Sequence, residues 1–283
     1  MMHQRLFATT YTLTRLVLYL VLLAPVAVFV LHAFSVRWFY PQVLPAEWTL
    51  EPLLRQLGNA DTREALWNST QIALLVSVLS LLVGYPAARV LGLRSFRGKS
   101  IVYLLLFLPT IIPPVATGIG LNILFLRLQL TGTIFGVALV HLIPVLPYVV
   151  FTLASVFARY DINFEHQARV LGASGWRIFQ TVTLPLVLPG LMVAGLFAFL
   201  ISWSEYLLTL LIGGGRVLTL PLLLFSLVSG GNPTSISALA LLLWRCPLSP
   251  LRSHRATSAP KQASVSRGAR GWEGAINEGR AVK

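Results

Sequence analysis

The 283-residue chain is 56% hydrophobic and only 11% charged, and its formal net charge is +13. Soluble domains carry about 25% charged residues, so this composition excludes an ordinary soluble domain and indicates a membrane protein. Residues 245–283 hold eight of the 22 basic residues but only two of the nine acidic ones. The remaining basic residues are scattered at loop edges, which argues against a nucleic-acid partner. The single cysteine, Cys246, excludes an internal disulfide and a cysteine-based metal cluster.

Six apolar segments follow one another along the chain. Most approach or exceed the ~20 residues that a helix needs to cross a bilayer, and in lipid every backbone polar group must be paired within the segment. The sequence therefore predicts an all-α membrane protein with about six transmembrane helices. Pro113-Pro114 is predicted to break or bend the third helix. The segments cover residues 16–34, 67–91, 101–125, 134–157 and 185–211, and a short sixth begins near 236.

Basic residues predict the orientation of these helices. They precede the first segment and cluster between the second and third and between the fourth and fifth, and such residues mark the cytoplasmic side. We therefore expect a cytoplasmic N-terminus over 1–15, a first helix and outer loop over 16–66, and a membrane core over 67–244. That core includes a cytoplasmic loop at 159–184.

No motif in the chain predicts catalysis, a metal site or ATP binding. Residues 92–100 mimic a phosphate-binding loop, but five residues separate the two glycines where the motif needs four. His141 stands alone among apolar residues, which favours a packed or hydrogen-bonded side chain over a ligand. Asn68 or Ser69 is interpreted as the N-cap of the second helix.

Glu205 is an acidic residue in an apolar segment, between Trp203 and Tyr206. Twenty residues after Pro185, at about 1.5 Å per residue, place it roughly 30 Å along the helix and near the outer face. It is either a plain interface residue beside aromatic anchors or, together with Trp203 and Tyr206, part of a solute pathway.

The cytoplasmic loop contains apolar and polar residues at roughly helical spacing over 166–182, interrupted by Leu171-Gly172. This pattern predicts a short amphipathic helix on the cytoplasmic face. Such a helix would either dock a soluble partner or simply lie on the membrane.

The same loop resembles the EAA motif of ATP-binding-cassette (ABC) importer permeases. Ala168, Gly172, Leu184 and Pro185 match the motif, and Val182 stands in for its isoleucine. The stretches 67–69, 84–87, 202–206 and 212–221 extend the resemblance, which covers 67–243 and is similar to type I importers of the spermidine/putrescine-like group.

Two positions depart from that motif. His166 stands where the family has glutamate, with Glu165 one residue early, and Gln167 replaces the first alanine. The motif implies that His166, Gln167, Ala168 and Gly172 contact the ATPase and that Leu184 and Pro185 connect the loop to the fifth helix.

The resemblance implies a multi-pass permease subunit in a bacterial inner membrane. A second permease subunit would complete the pathway, and an extracytoplasmic binding protein would deliver a small solute such as a polyamine. A separate ATPase subunit, which binds ATP and Mg, would grip the 166–182 helix and drive import, and this chain would carry no cofactor. The alternative is an ATP-independent channel or a membrane scaffold.

The C-terminal end departs from the pattern of an importer permease. The sixth apolar run covers only 236–244, less than half the length that spanning requires. The basic tail at 245–283 lacks apolar periodicity and is predicted to be disordered. The sequence favours a shifted reading frame or truncated gene, and thus a possible non-functional permease, over a true variant with a basic tail at the membrane surface.

Overall fold

The computed structural model describes residues 2–35, 38, 42, 45 and 47–245, and those residues are almost entirely helical. Contacts divide the chain into two units, residues 1–243 and 244–283, and the first unit is described below. The tail predicted at 245–283 lies outside the described residues from 246 onwards. The helices are α1 (Met2–Ala33), α2 (Glu51–Gly58), α3 (Ala60–Leu93), α4 (Lys99–Ile111), α5 (Pro114–Arg127), α6 (Ile134–Phe157), α7 (Asn163–Val170), α8 (Gly175–Ile178), a π-helical segment (Phe179–Thr183), α9 (Leu184–Ser204), α10 (Leu207–Gly213), α11 (Leu220–Ser229) and α12 (Pro233–Arg245).

Helices α3, α6 and α9 pack against one another and form the core of the first unit. Small residues allow the close approach, as is usual between membrane helices. A Cβ built on Gly92 of α3 would lie 2.3 Å from the Cβ of Phe157 in α6, and one on Gly190 of α9 would lie 2.5 Å from a methyl of Val156. The core therefore depends on glycine at these helix crossings.

Within the described ranges of the chain, four helical stretches are long and apolar enough to cross a membrane: Thr14–Ala33, Ala60–Leu93, Ile134–Phe157 and Gly175–Ser204. Helices α4 and α5 make a fifth span if the pair is counted as one, since they are bent by 96° at their break. The bend confirms the prediction made from Pro113-Pro114, because neither residue can donate a helix hydrogen bond. Helix α12 has 13 residues, too few to span.

The second span begins earlier than predicted, and the N-cap assignment to Asn68 or Ser69 is wrong. The cap is Asn59, whose side chain accepts a 2.9 Å hydrogen bond from the Asp61 N–H. The first turns of α3 are polar, so hydropathy alone hides them. Asn68 Nδ2 instead donates to the Leu218 carbonyl at 2.9 Å, and Ser69 Oγ accepts from the Leu220 N–H at 2.9 Å.

The predicted fifth segment, 185–211, is not one continuous helix. The helical stretch begins at Gly175 and α9 ends at Ser204, while α10 begins at Leu207. Glu205 has extended backbone angles, with φ −74° and ψ 117°, so it lies in the break between the two helices rather than on a helix face.

Candidate functional site

The 159–184 loop folds as a helix, a tight turn and a second helix that runs into α9. Helix α7 ends in a Schellman motif: the Gly172 N–H donates to the Arg169 carbonyl at 3.0 Å, and the Ala173 N–H donates to the Ala168 carbonyl at 3.1 Å. Gly172 has φ +84°, the left-handed conformation that glycine adopts without strain. The interruption predicted at Leu171-Gly172 is present, but the predicted helix over 166–182 is wrong in its limits, because α7 ends at Val170 and the next helix begins at Gly175.

The turn after α7 exposes apolar side chains. Val170 is 88% exposed and Leu171 is 87% exposed, and Trp176 at the start of α8 is 67% exposed. We name Val170 and Leu171 the apolar turn. Exposed aliphatic residues at the tip of a structured loop suit a surface that either a protein partner or the membrane covers.

The other residues singled out in this loop occupy two places. His166 and Gln167 are exposed on α7, and the Ala168 carbonyl takes part in the Schellman motif. Leu184 and Pro185 are the first residues of α9, directly after the π-helical segment. The structure thus separates the α7 positions from the α9 positions by the turn and one further stretch of helix.

Glu165 is a buried acidic residue that sequence reasoning did not place in the site. Its side chain is only 5% exposed, and Oε2 pairs with Arg89 Nη2 of α3 at 2.7 Å. Oε1 accepts hydrogen bonds from the Tyr160 hydroxyl at 3.0 Å and the Thr183 hydroxyl at 2.9 Å. Burial raises the pKa of the Glu165 carboxyl, but these hydrogen bonds and the charge of Arg89 outweigh burial and lower it overall. The carboxylate is therefore ionised and fully paired.

A cleft of about 390 Å³ lies between the C-terminal end of α3 and helix α7. Its lining includes Arg89, Arg94, His166 and Arg169 beside Glu165. Since Glu165 pairs with Arg89, the guanidinium groups of Arg94 and Arg169 give this cleft a positive character.

Glu205 is half-buried at the break between α9 and α10. Its Oε1 accepts a 3.2 Å hydrogen bond from the Leu208 N–H, and in the described part of the chain no basic side chain forms an ion pair with it. The Tyr206 ring lies 4.6 Å from the Phe225 ring, between centroids. Trp203 is buried and donates its indole N–H to the Leu243 carbonyl at 3.0 Å, so it joins the C-terminal end of α9 to α12.

His141 is hydrogen-bonded through both ring nitrogens, which confirms its interpretation as a packed residue. Nδ1 lies 2.9 Å from Ser202 Oγ and Nε2 lies 2.9 Å from Thr209 Oγ1. Histidine thus links α6 to both sides of the α9–α10 break. Among the described residues, no group of three His, Cys, Asp or Glu side chains could hold a metal ion.

The spans and the structured 159–184 loop define a multi-pass, all-α membrane protein. Residues 80–245 match the family model described as binding-protein-dependent transport system inner membrane component. The chain belongs to this family and is a permease subunit of an ABC importer, a transport protein rather than an enzyme.

Relatives and a solved structure agree with this assignment. The chain is 31% identical over 221 residues to the putative 2-aminoethylphosphonate transport system permease protein PhnV of Salmonella typhimurium, covering 77% of this chain and 82% of that one. It is 32% identical over 189 residues to the spermidine/putrescine transport system permease protein PotC of Haemophilus influenzae, covering 66% and 74%. A crystal structure of a bacterial ABC transporter involved in the import of the acidic polysaccharide alginate has the same fold, with TM-score 0.71 at 17% identity, covering 89% and 97%.

Proposed function

We propose that this permease serves an ATP-driven importer in a bacterial inner membrane and moves a small, amine-bearing solute inward. A second permease subunit completes the pathway, an extracytoplasmic binding protein delivers the solute, and a separate ATPase subunit binds ATP and Mg. The observation that carries the proposal is the capped α7 helix, which ends in the exposed apolar turn.

The apolar turn is the point at which the ATPase docks. Burying an exposed aliphatic side chain contributes about 1.5–3 kcal/mol, and Val170 and Leu171 are both almost fully exposed. His166, Gln167 and Ala168 on α7 flank the contact, and Gly172 holds the turn in its left-handed conformation.

Movement of the docked turn reaches the membrane through helix α9. The second helix of the loop passes through the π-helical segment into α9 at Leu184-Pro185 without a loop. Closure of the two ATPase subunits would therefore shift the base of α9 and alternate access to the pathway. The 96° bend between α4 and α5 gives a second place where the bundle can rearrange.

The Glu205 carboxylate supports the proposal that the importer recognises an amine group of its solute. A half-buried carboxylate with no basic partner attracts a cation, and the names of both relatives specify amine-bearing compounds: 2-aminoethylphosphonate, and spermidine and putrescine. We place Glu205 and Tyr206 beside the pathway, while Trp203 holds the end of α9 against α12.

The docking role is tested by Gly172→Asp in the assembled importer. We expect this variant to insert into the membrane normally but to lose ATPase coupling, because a charge then sits in the docking contact. Gly98→Asp is the matched control: Gly98 also has a left-handed backbone, with φ +89°, and open space around it, but it lies outside the 159–184 loop. Unchanged transport by Gly172→Asp would refute docking at this turn.

The pathway role is tested by Glu205→Gln with putrescine and 2-aminoethylphosphonate as separate solutes. We expect uptake of the transported amine to fall strongly, while Glu64→Gln, an exposed carboxylate at the start of α3, leaves uptake unchanged. If the Glu205→Gln variant takes up solute at the wild-type rate, Glu205 is not part of the pathway. Solute movement by the permease alone, without an ATPase, would instead favour a channel.

A further inference from the structure

The carboxylate of Glu165 joins four parts of the chain at the cytoplasmic end of the bundle. It lies on α7, pairs with Arg89 near the end of α3 at 2.7 Å, and accepts hydrogen bonds from Tyr160 in the α6–α7 link at 3.0 Å and from Thr183 at the base of α9 at 2.9 Å. Both carboxylate oxygens are used, and Glu165 is only 4% exposed.

The Thr183 hydrogen bond is directed at Glu165 and is not the default bond of a helical threonine. A threonine inside a helix commonly donates its hydroxyl to the carbonyl of the preceding turn. Thr181, two residues earlier, does so, with its hydroxyl 2.7 Å from the Arg177 carbonyl. Thr183 is buried and turns to the carboxylate instead.

Breaking the Arg89 or the Thr183 bond while the rest remain would leave a buried charge or a buried hydroxyl without its partner, which is strongly unfavourable. A displacement of α7 must therefore either disrupt the whole cluster or move α3 and α9 with it. The connection to α3 is one charge-assisted hydrogen bond, which is a strong type of contact.

We propose that Glu165 is a positioning residue that makes α7, the cytoplasmic end of α3 and the base of α9 move as one body. It thereby transfers the partner's pull on the apolar turn to two of the three core helices. This inference rests on the proposed function, since it assigns a path to a movement that docking begins.

The experiment uses the complete importer, with permease, ATPase and binding protein, in proteoliposomes. Solute uptake and ATP hydrolysis are measured in the same vesicles, with putrescine or 2-aminoethylphosphonate as the solute. Glu165→Gln keeps the shape of the side chain but removes its charge, and Thr183→Val removes one hydroxyl. We expect the ATP hydrolysed per solute transported to rise at least tenfold in Glu165→Gln and about threefold in Thr183→Val, with the ATPase still co-purifying.

A distance measurement separates positioning from folding. Spin labels at Asn163 of α7 and Gln180 of the π-helical segment, both exposed, are placed in a Cys246→Ser background. We expect one narrow distance that is the same without nucleotide and with ATP plus vanadate. In Thr183→Val and Glu165→Gln the distribution should broaden or shift with nucleotide.

Thr181→Val is the matched control, because its hydroxyl bonds only to its own helix, and it should behave as wild type in both measurements. Wild-type coupling and an unchanged label distance in Thr183→Val would overturn the inference, even if Glu165→Gln fails to fold. If the wild-type permease does not bind an ATPase at all, the proposed function fails, which is a different result.

Discussion

Replacing Gly172 tests whether the backbone conformation of the turn controls docking. Gly172 has φ +84°, and a Cβ added there would meet nothing within 4 Å. A substitution therefore introduces backbone strain without a steric clash. Alanine in the left-handed region is disfavoured by roughly 1–2 kcal/mol, whereas asparagine visits that region readily.

This backbone strain would lower the affinity of the permease for its ATPase. If the turn must hold its left-handed conformation to dock, roughly 1–2 kcal/mol lowers the affinity about 5- to 30-fold. Gly172→Ala should therefore weaken ATPase binding by that factor, and Gly172→Val should weaken it further because a β-branched residue tolerates positive φ least. Gly172→Asn should stay close to wild type.

The assay is the dissociation constant of the purified permease for its ATPase in nanodiscs. Gly175→Ala is the control, since a Cβ at Gly175 also meets nothing within 4 Å but its backbone is not left-handed. If Gly172→Asn weakens binding as much as Gly172→Ala, or if Gly175→Ala weakens it equally, backbone conformation is not the reason and the argument fails.

Three further substitutions probe the fold. Gly92→Ala should overpack the α3–α6 crossing by about 1–3 kcal/mol and lower the melting temperature in detergent, while Gly120→Ala, with nothing within 4 Å, should not; equal melting temperatures would contradict the close packing. Asn68→Ala should destabilise the protein by about 1–3 kcal/mol because the Leu218 carbonyl loses its donor, seen as a lower denaturation midpoint; no change would mean that this bond contributes little. Glu165→Gln should melt at a lower temperature than the wild type at pH 7. This difference in melting temperature should shrink as the pH falls below the ordinary carboxyl pKa of 4.5, because a pKa that is lowered in the folded state gives stability that is lost in acid. A difference that does not change with pH would contradict the ion pair.

The sequence predicted the elements that depend on local pattern. The length of the apolar segments predicted the all-α class, and Pro113-Pro114 predicted the break between α4 and α5. The glycine and Leu-Pro positions of the cytoplasmic loop indicated the family, which the comparisons confirm. Three statements remain predictions: the role of these loop residues in docking, the domain limits, and the shifted reading frame or truncated gene at the C-terminal end.

The sequence could not predict contacts between residues that are distant along the chain. Glu165 looked like a misplaced motif residue because its ion-pair partner, Arg89, lies 76 positions earlier. Asn68 looked like a helix cap because its acceptor, the Leu218 carbonyl, lies 150 positions later. In both cases a polar residue near an expected helix end had two possible uses, and only the packing of the bundle decides between them.

The π-helical segment at Phe179–Thr183 also sets how far α8 and the apolar turn are rotated about the helix axis relative to α9. The Leu184 N–H donates to the Phe179 carbonyl five residues back, so this turn holds one residue more than an α-helical turn. One residue corresponds to about 100° of rotation around a helix axis. The direction in which the apolar turn points, relative to α9, is therefore set by the number of residues between Ile178 and Leu184. An insertion or deletion there would point an otherwise intact loop away from its partner.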